Sequence, residues 1–163
     1  MLATQKLVTA YFEADHDRLD SLLQQYIEKK RGDFKVAKPY FREFFKGLRR
    51  HIVWEEEVLF PFFEKAGGIA MGPTECMRHE HRMIGAILDR IHDKVRKADP
   101  NSDREEQELI AVLKPHNDKE ENILYPAIDQ YAGAGYAATL FLAMEEIPQE
   151  RFRTCCDSHK TAQ

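Results

Sequence analysis

The sequence predicts an all-α protein: an antiparallel up-down four-helix bundle with a pseudo-twofold internal repeat, followed by a short C-terminal helix. Three observations predict this fold. Four segments carry apolar residues at helical spacing, glycine and proline residues separate those segments, and part of the sequence recurs after 65 positions. Short connections between long amphipathic helices are typical of an antiparallel bundle.

The first two predicted helices are separated by a break at Gly32 and Asp33, and Pro39 suits the first turn of the second helix. Residues three or four apart lie on one side of a helix, which defines the apolar face of each. In the first helix this face contains Phe12, His16, Leu19, Leu23 and Tyr26, and in the second Phe41, Phe44, Leu48, His51, Glu55, Leu59 and Phe62.

The third helix is predicted to begin at Gly72 and Pro73, after two glycines at 67 and 68 that end the second. The stretch "ADPNSDREE" separates the third helix from the fourth, and Ser102 with Glu105 predicts a capping box there. The apolar face of the third helix contains Met77, His81, Ile84, Leu88, Ile91 and Val95, and that of the fourth Leu109, Leu113, His116, Glu120, Ile123 and Ala127.

The chain of 163 residues is long enough for one domain with a substantial core. We predict that residues 1–147 form this domain. It would comprise the bundle and a short helix near 136–147 that follows Gly133 and Gly135. Residues 148–163 are predicted to be a polar C-terminal tail.

The composition favours an ordinary protein of the cytoplasm. The formal net charge is −4, so no basic excess predicts nucleic-acid binding, and no apolar run is long enough to predict a membrane span. The N-terminus has no signal-peptide pattern, and Cys76, Cys155 and Cys156 do not resemble a disulfide framework. Cys155 and Cys156, with His159, are expected in a loose tail rather than at a soft-metal site.

One sequence motif occurs twice. The stretches "HIVWEEEVLFP" at 51–61 and "HNDKEENILYP" at 116–126 both fit H-x-x-x-E-E-x-x-L-aromatic-P, 65 positions apart. The same offset maps His16 onto His81. Two halves of one fold, related by a pseudo-twofold axis, are therefore expected.

The histidines and glutamates of this repeat predict a metal centre in the core. In H-x-x-x-E the two side chains project from the same face, about 6 Å apart along the helix axis. Burying two carboxylates without partners would cost several kcal/mol each, and bound cations would offset that cost. The predicted ligands are His16, His51, Glu55, His81, His116 and Glu120.

Six ligands related by twofold symmetry suit two ions, with each glutamate bridging both ions about 3.5–4 Å apart. A solvent-derived oxide or hydroxide could form a further bridge. Mixed imidazole and carboxylate ligation favours iron, while manganese and zinc remain alternatives. His79 is about 200° from His81 around the helix, so we expect it to be exposed. Glu56 and Glu121 could face solvent or contact the ligands.

At these residues the sequence resembles the hemerythrin-like family, also called the HHE cation-binding family, over roughly residues 9–130. The shared pattern is a histidine on the first helix, H-x-x-x-E on the second, a histidine after glutamate on the third and H-x-x-x-E on the fourth. The resemblance implies a non-haem di-iron site in a four-helix bundle and assigns the same six ligands.

The sequence differs from the oxygen-carrying hemerythrins in two places. Their third helix has H-x-x-x-H, whereas Met77 and Gly85 stand four positions from His81 here. Their fourth helix has H-x-x-x-x-D, a spacing that Glu121 keeps, although symmetry favours Glu120. A dedicated oxygen carrier is therefore not favoured.

The expected function is binding of dioxygen or nitric oxide at a di-iron centre, for sensing, storage or stress protection, with an unidentified redox partner. One alternative is a di-iron oxidase or nitric-oxide-reducing enzyme. Another is an iron sensor, or an iron donor for iron–sulfur cluster repair. Neither a nucleic acid nor a membrane is an expected partner.

Overall fold

The computed structural model describes residues 7–67 and 72–152, and none of these residues forms a β-strand. Two π-helical turns, Glu55–Leu59 and Glu120–Leu124, interrupt the helical chain. The α-helices are α1 (Leu7–Lys29), α2 (Phe34–Trp54), α3 (Phe60–Gly67), α4 (Pro73–Arg96), α5 (Asp103–Lys119) and α6 (Tyr125–Glu145). The predicted all-α bundle is confirmed.

The four bundle helices are α1, then α2 continued into α3, then α4, then α5 continued into the first part of α6. α1 packs against α2 and α6, and α4 packs against α5. Two apolar clusters fill the core, one around Phe41 and Ile91 and the other around Phe12 and Leu124. On α1, His16 lies between Phe12 of one cluster and Leu19 of the other, so a polar layer separates the two. None of the described helices is long and apolar enough to cross a membrane.

The π-helical turns change which residues face the core. The N–H of Phe60 donates to the carbonyl of Glu55, five residues back, and the N–H of Tyr125 donates to that of Glu120 in the same way. Because a π turn contains an extra residue, the two consecutive residues Leu124 and Tyr125 are both buried.

The apolar faces predicted for the first and third helices are confirmed, since all their residues are buried. Within and after the π turns the prediction is partly wrong. Ile123 was assigned to the core, yet it is 64% exposed, whereas Leu124, four positions after Glu120, is buried as expected. Phe62 is only half-buried, while Phe63 is buried.

The helix starts differ from the prediction at two points. Ser102 makes no capping hydrogen bond, so the capping box is wrong. Its Oγ donates to Glu106 Oε1 at 2.9 Å instead, while Glu105 accepts from Lys94 Nζ. Pro39 lies inside α2 rather than in its first turn, because Asp33 caps a helix that begins at Phe34.

The short C-terminal helix is the second part of α6. Gly133 has φ 61° and ψ 178°, which ends the fourth bundle helix and redirects the chain. Beyond a 3-10 turn at Gln149–Arg151, Phe152 is buried against Trp54. Cys155, Cys156 and His159 lie outside the described residues, and the domain boundary after residue 147 stays a prediction.

Candidate metal centre

The structure brings all six predicted ligand side chains into the polar layer between the two apolar clusters. None of the six is more than 5% exposed. They form two overlapping groups, in each of which the candidate donor atoms lie within 4.8 Å of one another. The first group contains His16, His51 and Glu120, and the second contains Glu55, His81, His116 and Glu120.

The two glutamates lie between the groups. Glu55 Oε1 is 3.4 Å from His51 Nε2, and Glu55 Oε2 is 3.1 Å from His81 Nε2. Glu120 Oε1 is 3.5 Å from His16 Nε2 and 3.2 Å from His116 Nε2. Both carboxylates therefore contact histidines of both halves of the repeat.

All four histidines direct Nε2 into the centre and hold a carboxylate at Nδ1. His16 Nδ1 is 2.7 Å from Glu121 and His81 Nδ1 is 2.9 Å from Glu56, so two of these contacts cross between the halves. Because each carboxylate accepts a hydrogen bond from Nδ1–H, the proton stays on Nδ1 and the lone pair stays on Nε2, which is the tautomer that ligates a metal through Nε2. The glutamates whose role the sequence left open are these outer partners.

Two further outer partners escaped the sequence analysis. Asp15 lies 2.9 Å from His51 Nδ1, and Glu80 lies 2.6 Å from His116 Nδ1. Each is the acidic residue directly before a histidine of the repeat, and the two are 65 positions apart. The repeat therefore contained the signal. Because Asp15 and Glu80 do not lie on the same helical face as the ligands, the sequence reasoning did not select them.

Tyr125 makes the centre asymmetric. Its hydroxyl donates to Glu55 Oε1 at 2.5 Å and lies 3.2 Å from His51 Nε2 and 3.4 Å from His16 Nε2. The repeat places Phe60 at the corresponding position of the other half, where its ring stacks on His81. A hydroxyl thus lies beside His16 and His51, whereas a hydrocarbon ring lies beside His81.

In the metal-free centre, neighbouring carboxylates raise the pKa of His51, His81 and His116. Burial lowers the pKa of His51, but Glu55 and Asp15 outweigh it and raise the pKa to about 10. For His81, burial is likewise outweighed by Glu55 and Glu56, and the pKa rises to about 9. Burial would raise the pKa of Glu55, yet the charge of His51 holds it well below its usual value.

Burial, together with the charges of Glu120 and Glu55, raises the pKa of Tyr125 well above its usual value near 10. The Tyr125 phenol is therefore protonated in the metal-free centre. The negative charges that keep it protonated are those that bound cations would neutralise.

The donor set fits a bound metal. Among the described residues, Glu55 Oε2, His81 Nε2 and both oxygens of Glu120 are buried and form no well-oriented hydrogen bond, although Glu55 Oε2 and His81 Nε2 are only 3.1 Å apart. Buried polar atoms are ordinarily hydrogen-bonded, so four such atoms in one layer are unusual. Imidazole nitrogen and carboxylate oxygen are ligands suited to iron, manganese and zinc.

A cleft of about 420 Å³ lies between α1 and α5, and His16 and Glu121 form part of its wall. Asp17, Asp20 and Asp118 also line it, which makes the cleft acidic. His79, by contrast, is exposed, as its position on α4 predicted.

The fold and the layer of donors define a metal-binding four-helix bundle. Residues 7–128 match the hemerythrin HHE cation binding domain, and the chain belongs to this family. The predicted family resemblance is confirmed.

Several known proteins are similar in sequence. The iron–sulfur cluster repair protein YtfE of an Enterobacter species is 28% identical and aligns with 74% of this chain and 62% of its own. YtfE of an Escherichia coli strain has the same identity and coverage. An uncharacterised hemerythrin-like protein of Schizosaccharomyces pombe is 30% identical over 72% of this chain and 57% of its own. The chain thus spans less than two thirds of each relative, and no solved structure is significantly similar to it.

Proposed function

We propose that the chain is a non-haem di-iron protein that binds dioxygen or nitric oxide, for sensing, storage or protection against stress. The observation that carries this proposal is the convergence of four Nε2 atoms and two carboxylates in one buried layer. When bound, ferrous ions would supply the electrons or the open coordination positions that these diatomic molecules need.

In this proposal His16 and His51 hold one iron, and His81 and His116 hold the other. Glu55 and Glu120, each of which contacts histidines of both halves, would bridge the two. The outer carboxylates keep Nε2 available as a ligand. The acidic cleft beside His16 supports an entry route for a hydrated cation or a small molecule.

Metal analysis tests the first part of the proposal. Protein reconstituted with ferrous iron should hold about two irons per chain. His81→Ala should remove most of the metal, because it removes a buried donor, while His79→Ala on the same helix should retain it. Equal loss in both variants would contradict the assignment of the α4 ligand.

Gas exposure tests the second part. The ferrous protein is mixed anaerobically with nitric oxide, or separately with dioxygen, while the visible spectrum is followed. A binder changes its spectrum and recovers the initial one under vacuum. Continuous consumption of the gas with added reductant would instead support the enzyme alternative.

The relatives named for iron–sulfur cluster repair favour iron donation as a second candidate function. A donor must release iron readily to an acceptor. The burial and the outer carboxylates of this centre favour retention, so we expect slow transfer to a ferrous chelator. Transfer within seconds to the chelator or to an apo-ferredoxin would support donation instead.

A further inference from the structure

We propose that Tyr125 is a seventh protein ligand, bound through its phenolate oxygen to the iron that His16 and His51 hold. This inference rests on the proposed di-iron centre and adds a ligand that neither the repeat nor the H-x-x-x-E motif predicts. It concerns one side chain on α6 and makes the two metal positions chemically different.

The positions of the donor atoms carry the proposal. The Tyr125 hydroxyl lies 3.2 Å from His51 Nε2 and 3.4 Å from His16 Nε2, and these two nitrogens are 3.0 Å apart. Ligands bound about 2.1 Å from one ion lie roughly 3.0–3.4 Å from one another. The three atoms are thus already spaced as ligands of a single ion.

The Tyr125 hydroxyl also lies among the proposed ligand atoms rather than among the outer carboxylates. Tyr125 is fully buried, and its hydroxyl donates to Glu55 Oε1, a proposed bridging atom. Of the two nitrogens of each histidine, the outer carboxylates contact Nδ1, whereas this hydroxyl approaches two Nε2 atoms.

Comparison of the two halves shows that only one of them places a hydroxyl oxygen beside the histidines. The ring of Tyr125 is 5.9 Å from the ring of His16, and the ring of Phe60 is 5.6 Å from that of His81. The two aromatic residues therefore occupy equivalent places, and only Tyr125 offers an oxygen. The iron near His81 and His116 would keep one more position for solvent or a diatomic ligand.

The ligation step exchanges a proton for a metal ion. The phenolic O–H bond breaks, the proton passes to bulk water, and the phenolate oxygen donates an electron pair to iron. No electron is gained or lost. The phenolate charge would offset part of the excess positive charge of two ferric ions.

Vibrational spectroscopy of the iron-loaded, air-oxidised protein tests the inference. Phenolate bound to ferric iron has a visible charge-transfer absorption, and excitation in that band enhances phenolate ring vibrations. We expect these vibrations, and we expect them to shift in protein made with ring-deuterated tyrosine. This measurement needs no substitution, so it holds even if a variant folds poorly.

The variant Tyr125→Phe should lose the phenolate vibrations while retaining iron, because the six other ligands remain. Tyr131→Phe, at a half-exposed tyrosine of the same helix, should leave them unchanged. Iron-loaded wild-type protein without phenolate vibrations, or Tyr125→Phe protein that keeps them, would overturn the inference. Failure of the wild-type protein to bind iron would instead overturn the proposed function, so the iron content separates the two failures.

Discussion

Asp15 and Glu80 each hold one histidine of the centre by its Nδ1 atom, and each is itself held by a basic residue. Arg18 donates to Asp15 at 2.9 Å, and Lys119 donates to Glu80. Such carboxylates orient the imidazole and raise its basicity toward a metal. Their effect on metal binding can therefore be separated from that of the ligands.

We expect Asp15→Asn and Glu80→Gln each to weaken iron binding by about 10–100-fold, because the affected imidazole loses its ionic partner. Competition with a chelator of known affinity measures the change. Glu13→Gln, at an exposed acidic residue of the same helix as Asp15, serves as the control. Unchanged affinity in the first two variants would show that these contacts do not orient the ligands.

The stability of the metal-free protein should depend on pH through its histidines. The pKa values of about 10 for His51 and about 9 for His81 exceed the unfolded value of about 6.5. Their stabilisation is therefore fully present below pH ~6.5 and is lost as the pH rises through 9 and 10. We expect the urea midpoint of chelator-treated protein to fall between pH 7 and pH 10.

Iron binding should have the opposite pH dependence, because a metal requires neutral imidazoles and displaces their protons. Iron affinity should rise with pH over the range in which the iron stays soluble. A urea midpoint of the metal-free protein that stays constant up to pH 10 would contradict the ion pairing described for His51 and His81.

At the scale of the helices, the π turns explain what the sequence could and could not predict. Apolar residues spaced three or four apart gave the correct faces for α1 and α4, where α-helical geometry is uninterrupted. The two glutamates of the repeat were also placed correctly, since each stands at the start of a π turn. After the turn Glu55–Leu59, the buried residue is one position later than a uniform α-helix predicts, Phe63 instead of Phe62.

The residues that sequence reasoning missed follow from this change of register. Tyr125 is the first residue after a π turn, and Ile123 lies within it. A uniform helix places Ile123 and Leu124 on the core face, whereas the extra residue of the turn leaves Ile123 exposed and brings Tyr125 into the core beside Leu124. No local propensity marks a π turn, because its hydrogen-bond pattern depends on the packing of the finished bundle.

The change of chain direction within α6 depends on one glycine. The φ of 61° and ψ of 178° at Gly133 belong to a region that only glycine populates readily, and a side chain there costs about 1–3 kcal/mol. We expect Gly133→Ala to destabilise the protein by that amount, as measured by urea unfolding.

Gly135→Ala is the matched control, because an added Cβ meets no atom at either position and Gly135 has no positive φ. This control should change stability little or increase it slightly, since alanine favours helix. Equal effects of the two substitutions would show that the backbone conformation at Gly133 is not the cause.

At the scale of the whole molecule, a buried ion pair joins the residue that follows α1 to α5, at the end of the bundle where α1 ends. Lys30 is 2% exposed, and its Nζ donates to both oxygens of Glu106 at 2.8 and 2.7 Å. Asp103 lies 2.7 Å from the same nitrogen. The contact connects the chain after α1 to the first turns of α5.

Lys30→Met should destabilise the protein by about 3–5 kcal/mol, because it leaves the buried Glu106 carboxyl group without its cationic partner. The double variant Lys30→Met with Glu106→Leu should recover most of that loss. Urea unfolding measures both, and iron content should stay unchanged because neither residue contacts the centre. A double variant no more stable than the single one would contradict this account.

The contacts that cross between the halves have a consequence for how the centre can vary. His16 is held by Glu121 and His81 by Glu56, so each half completes the other, as in a twofold homodimer. In a true homodimer every substitution appears twice and both metal positions must change together. Two halves encoded in one chain are free of that restriction. This is how Phe60 can stack on His81 while Tyr125 lies beside His16 and His51, so that a symmetric scaffold has two chemically different sides.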